Sequence, residues 1–145
     1  MKKESLFHIQ PLITLDSSHQ THFKIHLHNL NSMHAHMKCI CKDNFTSAHV
    51  VCYQETWLKP NDQVPEYPHH TYLRQDGCSN NETRRGGLLM YIHDDFRFLQ
   101  TINKPGISIE HQIAIISPRE DMSVRICIVS VYKKPRLPLH QFTYT

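Results

Sequence analysis

The stretch that most restricts how this chain can fold is Ala48–Leu58, Ala-His-Val-Val-Cys-Tyr-Gln-Glu-Thr-Trp-Leu. Its first half is a short apolar run rich in β-branched residues, the pattern of a strand buried on both faces. At Gln54-Glu55-Thr56 it turns polar, just ahead of the single tryptophan, Trp57. Open α/β sheets gather their ligands at the carboxyl ends of such strands. An acidic side chain placed there, Glu55, can hold a hard divalent cation through oxygen. Position and composition alone favour the plainer alternative, a surface carboxylate that merely ends a strand.

A chain of 145 residues makes one domain or part of one, able to bury roughly two-thirds of its unfolded surface. Hydrophobic content of 39% with 20% charged residues is ordinary globular usage and argues against disorder. No run approaches the ~18 apolar residues needed to cross a membrane. The first residues are basic, but Glu4, His8 and Gln10 interrupt any apolar core, so they do not read as a signal peptide. The expected location is therefore intracellular, cytoplasmic or nuclear, and not secreted. The five cysteines (39, 41, 52, 78 and 127) are then free thiols in a reducing compartment. Cys52 and Cys127 fall in strand-like runs and are expected in the core. A net charge of +3 permits contact with a polyanion without demanding it.

Residues 1–21 read as an irregular lead-in with Pro11 and a possible short strand over 11–15, and 22–145 as the domain. From Phe23 the pattern alternates, with Phe23, Ile25 and Leu27 on one face and Lys24, His26 and His28 on the other, which predicts a strand. Asn31 or Ser32 is placed to cap a helix over 33–42, whose stripe of Met33, Met37, Ile40 and Cys41 would pack on a sheet. With 49–54 as the next strand this makes a βαβ unit of parallel strands, so Asn29 and Glu55 emerge at the same carboxyl edge. After a proline-rich loop, strands are expected around 72–74, 88–92, 96–102, 111–116 and 124–132. No helical stretch separates them, which predicts an antiparallel meander and an α+β fold with a mixed sheet. Gly86 and Gly87 allow close backbone approach, and Arg84 and Arg85 beside them offer anion contacts or simply a solvated turn.

Four segments, taken together and in order, resemble a known family. They are His28-Asn29-Leu30-Asn31-Ser32-Met33-His34-Ala35-His36, Gln54-Glu55-Thr56-Trp57-Leu58, Arg84-Arg85-Gly86-Gly87-Leu88 and Val131-Tyr132-Lys133-Lys134-Pro135. They look like the amino-terminal half of an endonuclease/exonuclease/phosphatase domain, closest to those of retrotransposon and Helitron-type mobile elements. The resemblance spans about 23–142 and is most specific at Glu55-Thr56-Trp57-Leu58. It implies a four-layer α/β sandwich of which only the first half is present, a mixed sheet with a flanking helix. It also implies a divalent-metal-dependent phosphodiesterase, a DNA endonuclease, with Mg²⁺ or Mn²⁺ held by the carboxylate matching Glu55. Asn29 would sit beside that metal and phosphate, and the Tyr132 hydroxyl would point at the phosphate. A hard cation stabilises phosphoryl charge, while Asn and Tyr donate hydrogen bonds without competing for it.

The family also uses a Gly-Asp-Phe-Asn-like segment, whose aspartate orients water, and a Ser-Asp-His-like segment, whose histidine is its acid/base partner. Neither occurs in 1–145. Acid/base assistance of that kind is worth ~10²–10⁴-fold, so this chain by itself is expected not to cleave DNA. A missing second sheet would leave an apolar face for the rest of the domain or another protein to cover. The alternative is a non-catalytic remnant that binds nucleic acid or a protein partner. The thirteen histidines invite zinc, but His34, His36, Cys39 and Cys41 point apart on a helix and His26 with His28 lacks a third ligand. They read as a histidine-rich surface.

Overall fold

The computed structural model describes residues 23–40, 47–77, 86–106 and 108–135. In chain order these form β1 (Ile25–Asn29), α1 (Met33–Ile40), β2 (Val50–Gln54), β3 (His70–Gln75), β4 (Leu88–His93), β5 (Phe96–Lys104), β6 (Ile109–Pro118) and β7 (Ile126–Lys133). The first sheet has the order β1-β2-β4-β3 and the second β5-β6-β7. The lead-in over 1–21, the helix beyond 40, the turn over 78–85 and the chain after 135 lie outside the described residues.

The expected strand–helix–strand unit forms. β1 and β2 pair in parallel from Ile25 opposite Val50 to Asn29 opposite Gln54. Helix α1 buries Met33 and Ile40, with Met37 packed beside them. Its start differs from the expected cap. Asn31 and Ser32 have φ of 50° and 105°, not the extended backbone of a capping residue. The N–H groups of Ser32 and Met33 instead donate to the carbonyls of Glu55 and Thr56, each at 2.9 Å. The loop after β2 thus supplies the acceptors that helix starts require.

β2 and β4 are buried nearly throughout, because alternate residues serve two cores. On the outer face Val51, Tyr53, Leu89 and Tyr91 pack under α1 and the loop carrying Leu58 and Tyr67. The Tyr67 ring stacks on Tyr91 at 4.3 Å, and the Tyr91 hydroxyl donates to the Pro65 carbonyl at 2.6 Å. On the inner face Val50, Cys52, Met90 and Ile92 meet Ala114, Ile116 and Ile128 of the second sheet. Each Val, Ile or Met side chain among them contributes about 1.5–3 kcal/mol on burial.

A second sheet is therefore present, where the sequence predicted none and a single meander. The antiparallel run breaks at Asp94-Asp95, where the chain passes from β4 into the other sheet instead of folding back on β4. The turn's hydrogen bonds go elsewhere: Asp94 N–H donates to the His69 carbonyl at 2.8 Å, and Arg119 N–H to that of Asp95 at 2.8 Å. β4 already has β2 and β3 on its two edges, so no edge remains for β5. The face expected to lie bare is covered. The apolar side chains left exposed include Leu99, Ile109, Val129 and Val131, all of the second sheet. Cys52 is in the core as expected, and burial pushes its thiol up to about 12. Cys127 is exposed, because the inward positions of β7 are Ile126, Ile128, Ser130 and Tyr132.

Candidate functional site

Three strand ends meet at one edge of the two sheets. Asn29 lies beside Gln54 in the parallel pair, so the residues that follow both strands leave the sheet together. Glu55 comes next after β2, and Asn29 Nδ2 donates to Glu55 Oε1 at 3.0 Å. From the second sheet, the buried Tyr132 donates its hydroxyl to the same Oε1 at 2.5 Å. Gln54 Nε2 donates to the Val131 carbonyl at 2.8 Å and pins the end of β2 to β7. Residues 26 and 77 positions away from Glu55 thus converge on one carboxylate oxygen.

The backbone under this carboxylate is held in an unfavourable shape. Glu55 and Trp57 have φ of 53° and 54°, the left-handed region, at a cost on the order of 1–3 kcal/mol each. Such a shape persists where the surroundings over-determine it, and here they do so from two sides. On one, Glu55 and Thr56 carbonyls receive the first N–H groups of α1. On the other, Thr56 N–H donates to the Gly87 carbonyl at 3.3 Å and Trp57 N–H to that of Gly86 at 3.0 Å. Gly86 and Gly87 have φ of 97° and 91°. A Cβ on Gly87 would lie 2.4 Å from Thr56 Oγ1, and one on Gly86 would lie 2.5 Å from Glu110 Oε1. Only glycine fits at either position.

Glu110 was not singled out from the sequence. It faces Tyr132 across the β6–β7 pair and is fully buried. Its Oε2 accepts the Gly87 N–H at 2.8 Å. Its Oε1 lies 3.2 Å from Lys134 Nζ, an ion-pair distance without hydrogen-bond alignment. A buried carboxylate needs such partners, since desolvating an unpaired charge is costly.

Asn29, Glu55 and Tyr132 are thus brought together, while Arg84 and Arg85 lie outside the described residues. Gly86, the residue after Arg85, sits against Trp57 N–H and the Lys134 side chain. Trp57, two residues after Glu55, is partly buried. Both protein donors converge on Oε1 of Glu55. Oε2 then faces no donor hydrogen bond among the described residues and is the oxygen a cation would take. No group of three His, Cys, Asp or Glu among the described residues is arranged to hold a metal. Glu55 Oε2 offers a single carboxylate oxygen, the kind of ligand a Mg²⁺-type ion accepts when water and phosphate oxygens complete its shell. No helix among the described residues is long and apolar enough to cross a membrane.

Compared with models of protein families the chain matches none, and no curated protein sequence matches it.

Proposed function

We propose that this chain carries part of a divalent-metal phosphodiesterase site, of the endonuclease/exonuclease/phosphatase kind, with a nucleic acid as substrate. The observation that carries the reading is the convergence of Asn29 Nδ2 and Tyr132 hydroxyl on Glu55 Oε1. Two neutral donors hold the carboxylate without cancelling its charge, which suits an oxygen ligand for a hard cation. A bound Mg²⁺ would polarise a phosphoryl oxygen and stabilise the leaving oxyanion. The chain's own part is to orient Glu55, to set the Tyr132 hydroxyl beside the phosphate, and to offer the Asn29 amide as a further donor. The water-orienting aspartate and the acid/base histidine of that chemistry have no counterpart motif in 1–145, so residues 1–145 alone bind the metal without cleaving.

The test is thermal unfolding with and without millimolar Mg²⁺ or Mn²⁺, for the wild type and Glu55→Gln. The reading predicts a metal-dependent rise in Tm that the substitution removes. Equal rises in both proteins, or none in either, would end it. A second reading, a binding module without chemistry, is favoured by the exposed Val129 and Val131 on the outer face of β7. Nicking of supercoiled plasmid, with Glu55→Ala as the control for contaminating nuclease, bears on both. Metal-dependent nicking lost in the variant would exclude the second reading and restore full activity to this stretch.

A further inference from the structure

We infer that Glu110 is a positioning residue for the site: by accepting the Gly87 N–H it fixes the Gly86–Gly87 turn, which in turn holds the strained backbone of Glu55–Trp57 and aims the Glu55 carboxylate. Its importance to metal binding rests on the functional reading above, whereas its effect on Glu55 does not. Three observations carry the inference. First, Glu110 is a wholly buried carboxyl group outside the Asn29–Glu55–Tyr132 triad, and a polar group in that position is costly unless it is partnered. Second, its Oε2 holds the one N–H of Gly87 at 2.8 Å, while the carbonyls of Gly87 and Gly86 hold Thr56 and Trp57. Third, both glycines lack room for a Cβ, against Glu110 on one and Thr56 on the other.

The path from Glu110 to Glu55 is therefore a run of short contacts: carboxylate to Gly87 amide, glycine carbonyls to the amides of Thr56 and Trp57, and the peptide of Glu55 itself. The other side of the same loop is held by the start of α1. If the glycine side were released, the backbone of Glu55 would be held only from the α1 side, and its side-chain bonds to Asn29 and Tyr132 would have to resist relaxation from φ of 53° toward ordinary backbone. The carboxylate would then swing away from Asn29 and Tyr132. Lys134, 3.2 Å from Glu110 Oε1, offsets the buried charge. Lys134 follows β7 directly and, with its own N–H donating to the Ser108 carbonyl at 2.9 Å, ties the pair to the end of that strand.

Nuclear magnetic resonance of the Asn29 side-chain amide gives a readout that a merely structural role would not move. In the wild type one N–H bonds Glu55 Oε1, so its signal should be displaced from that of a free amide. Glu110→Ala should return it to the free position while the backbone amides of β2 and β4 keep their shifts. Glu110→Gln, which retains an acceptor for Gly87 N–H, should preserve it. Mn²⁺ affinity should fall about tenfold or more in Glu110→Ala, the usual effect of removing support behind a metal ligand, and be largely kept in Glu110→Gln. Should Glu110→Ala not fold, Glu110→Asp, one methylene too short to reach Gly87, should show the same return to the free position. An unchanged Asn29 signal in either folded variant overturns the inference. A wild type with a displaced Asn29 signal that nevertheless binds no Mn²⁺ overturns the metal reading and leaves the role of Glu110 in holding Glu55 in place.

Discussion

At Glu55 a single oxygen takes two neutral donors, the Tyr132 hydroxyl at 2.5 Å and the Asn29 amide at 3.0 Å. A hydrogen bond to a charged acceptor contributes about 1.5–3 kcal/mol, so Tyr132→Phe should lower stability by about that amount while leaving the circular-dichroism spectrum unchanged. Chemical denaturation of both proteins measures the difference, and a loss under about 0.5 kcal/mol would mean the hydroxyl does not engage Glu55. Gly87→Ala should be more harmful. It combines a φ of 91° with a Cβ 2.4 Å from Thr56 Oγ1, and left-handed strain alone is worth about 1–3 kcal/mol. A variant as stable as the wild type would show that the turn is not under the constraint described. Asn29 and Glu55 were legible in the sequence because a parallel pair of strands brings the residues after both to one edge. Glu110 was not, because nothing local marks a carboxylate as buried.

The individual elements show where periodicity succeeds and where it misleads. α1 and β2 follow their patterns, since a helical stripe and a doubly buried run each leave a distinct signature, whereas β1 forms where expected but leaves Leu27 exposed and His26 and His28 half-buried, against its alternation. In β6 the signature is inverted. The polar residues Glu110 and Gln112 face inward and are fully buried, while Ile109 is exposed and Ile113 and Ile115 only half-buried. β7 behaves likewise, with Ser130 in and Val129 out. The site end of the second sheet is thus a polar interior. There Gln112 Nε2 donates to the Leu73 carbonyl at 2.8 Å, and a sequence pattern alone points to the wrong face. The break at Asp94-Asp95 was hidden for a related reason. A two-residue turn between strands normally signals a hairpin, and only the occupied edges of β4 forbid one.

At the end of the first sheet away from Glu55, His49 accepts the Lys24 N–H on Nδ1 at 2.9 Å and stacks on Phe23 at 5.3 Å. Burial holds its pKa below the ordinary 6.5, helped by His93, Lys24 and His70 and opposed by Asp95. The unfolded chain therefore takes up a proton near pH 6.5 that the folded chain resists. Stability is retained above that value and falls as the pH drops below it, until the folded histidine also titrates. The urea midpoint should decline between pH 7 and pH 5. His49→Asn, which keeps an acceptor for Lys24 but does not titrate, should show a smaller decline. Equal declines would place the pH sensitivity elsewhere.

As a whole the described chain is two stacked sheets, with α1 covering one outer face and the other left open. On that open face Val129 and Val131 are exposed, and apolar side chains presented to water in this way promote association. Val129→Lys, pointing outward from β7, should raise the concentration at which the protein stays monomeric and change stability by no more than about 0.5 kcal/mol. Sedimentation and denaturation check both halves, and a loss of stability would show that the side chain is not on the open face. The same architecture keeps the site at one edge, where the ends of β1, β2 and β7 meet.

The most direct test of the central claim is an anomalous-scattering map from crystals soaked in Mn²⁺. The account predicts one strong peak within about 2.2 Å of Glu55 Oε2, at the distance a small hard cation keeps from a carboxylate. It also predicts that Tyr132 and Asn29 remain on Oε1. A peak held by other residues, or no peak at Glu55 at millimolar metal, would contradict it.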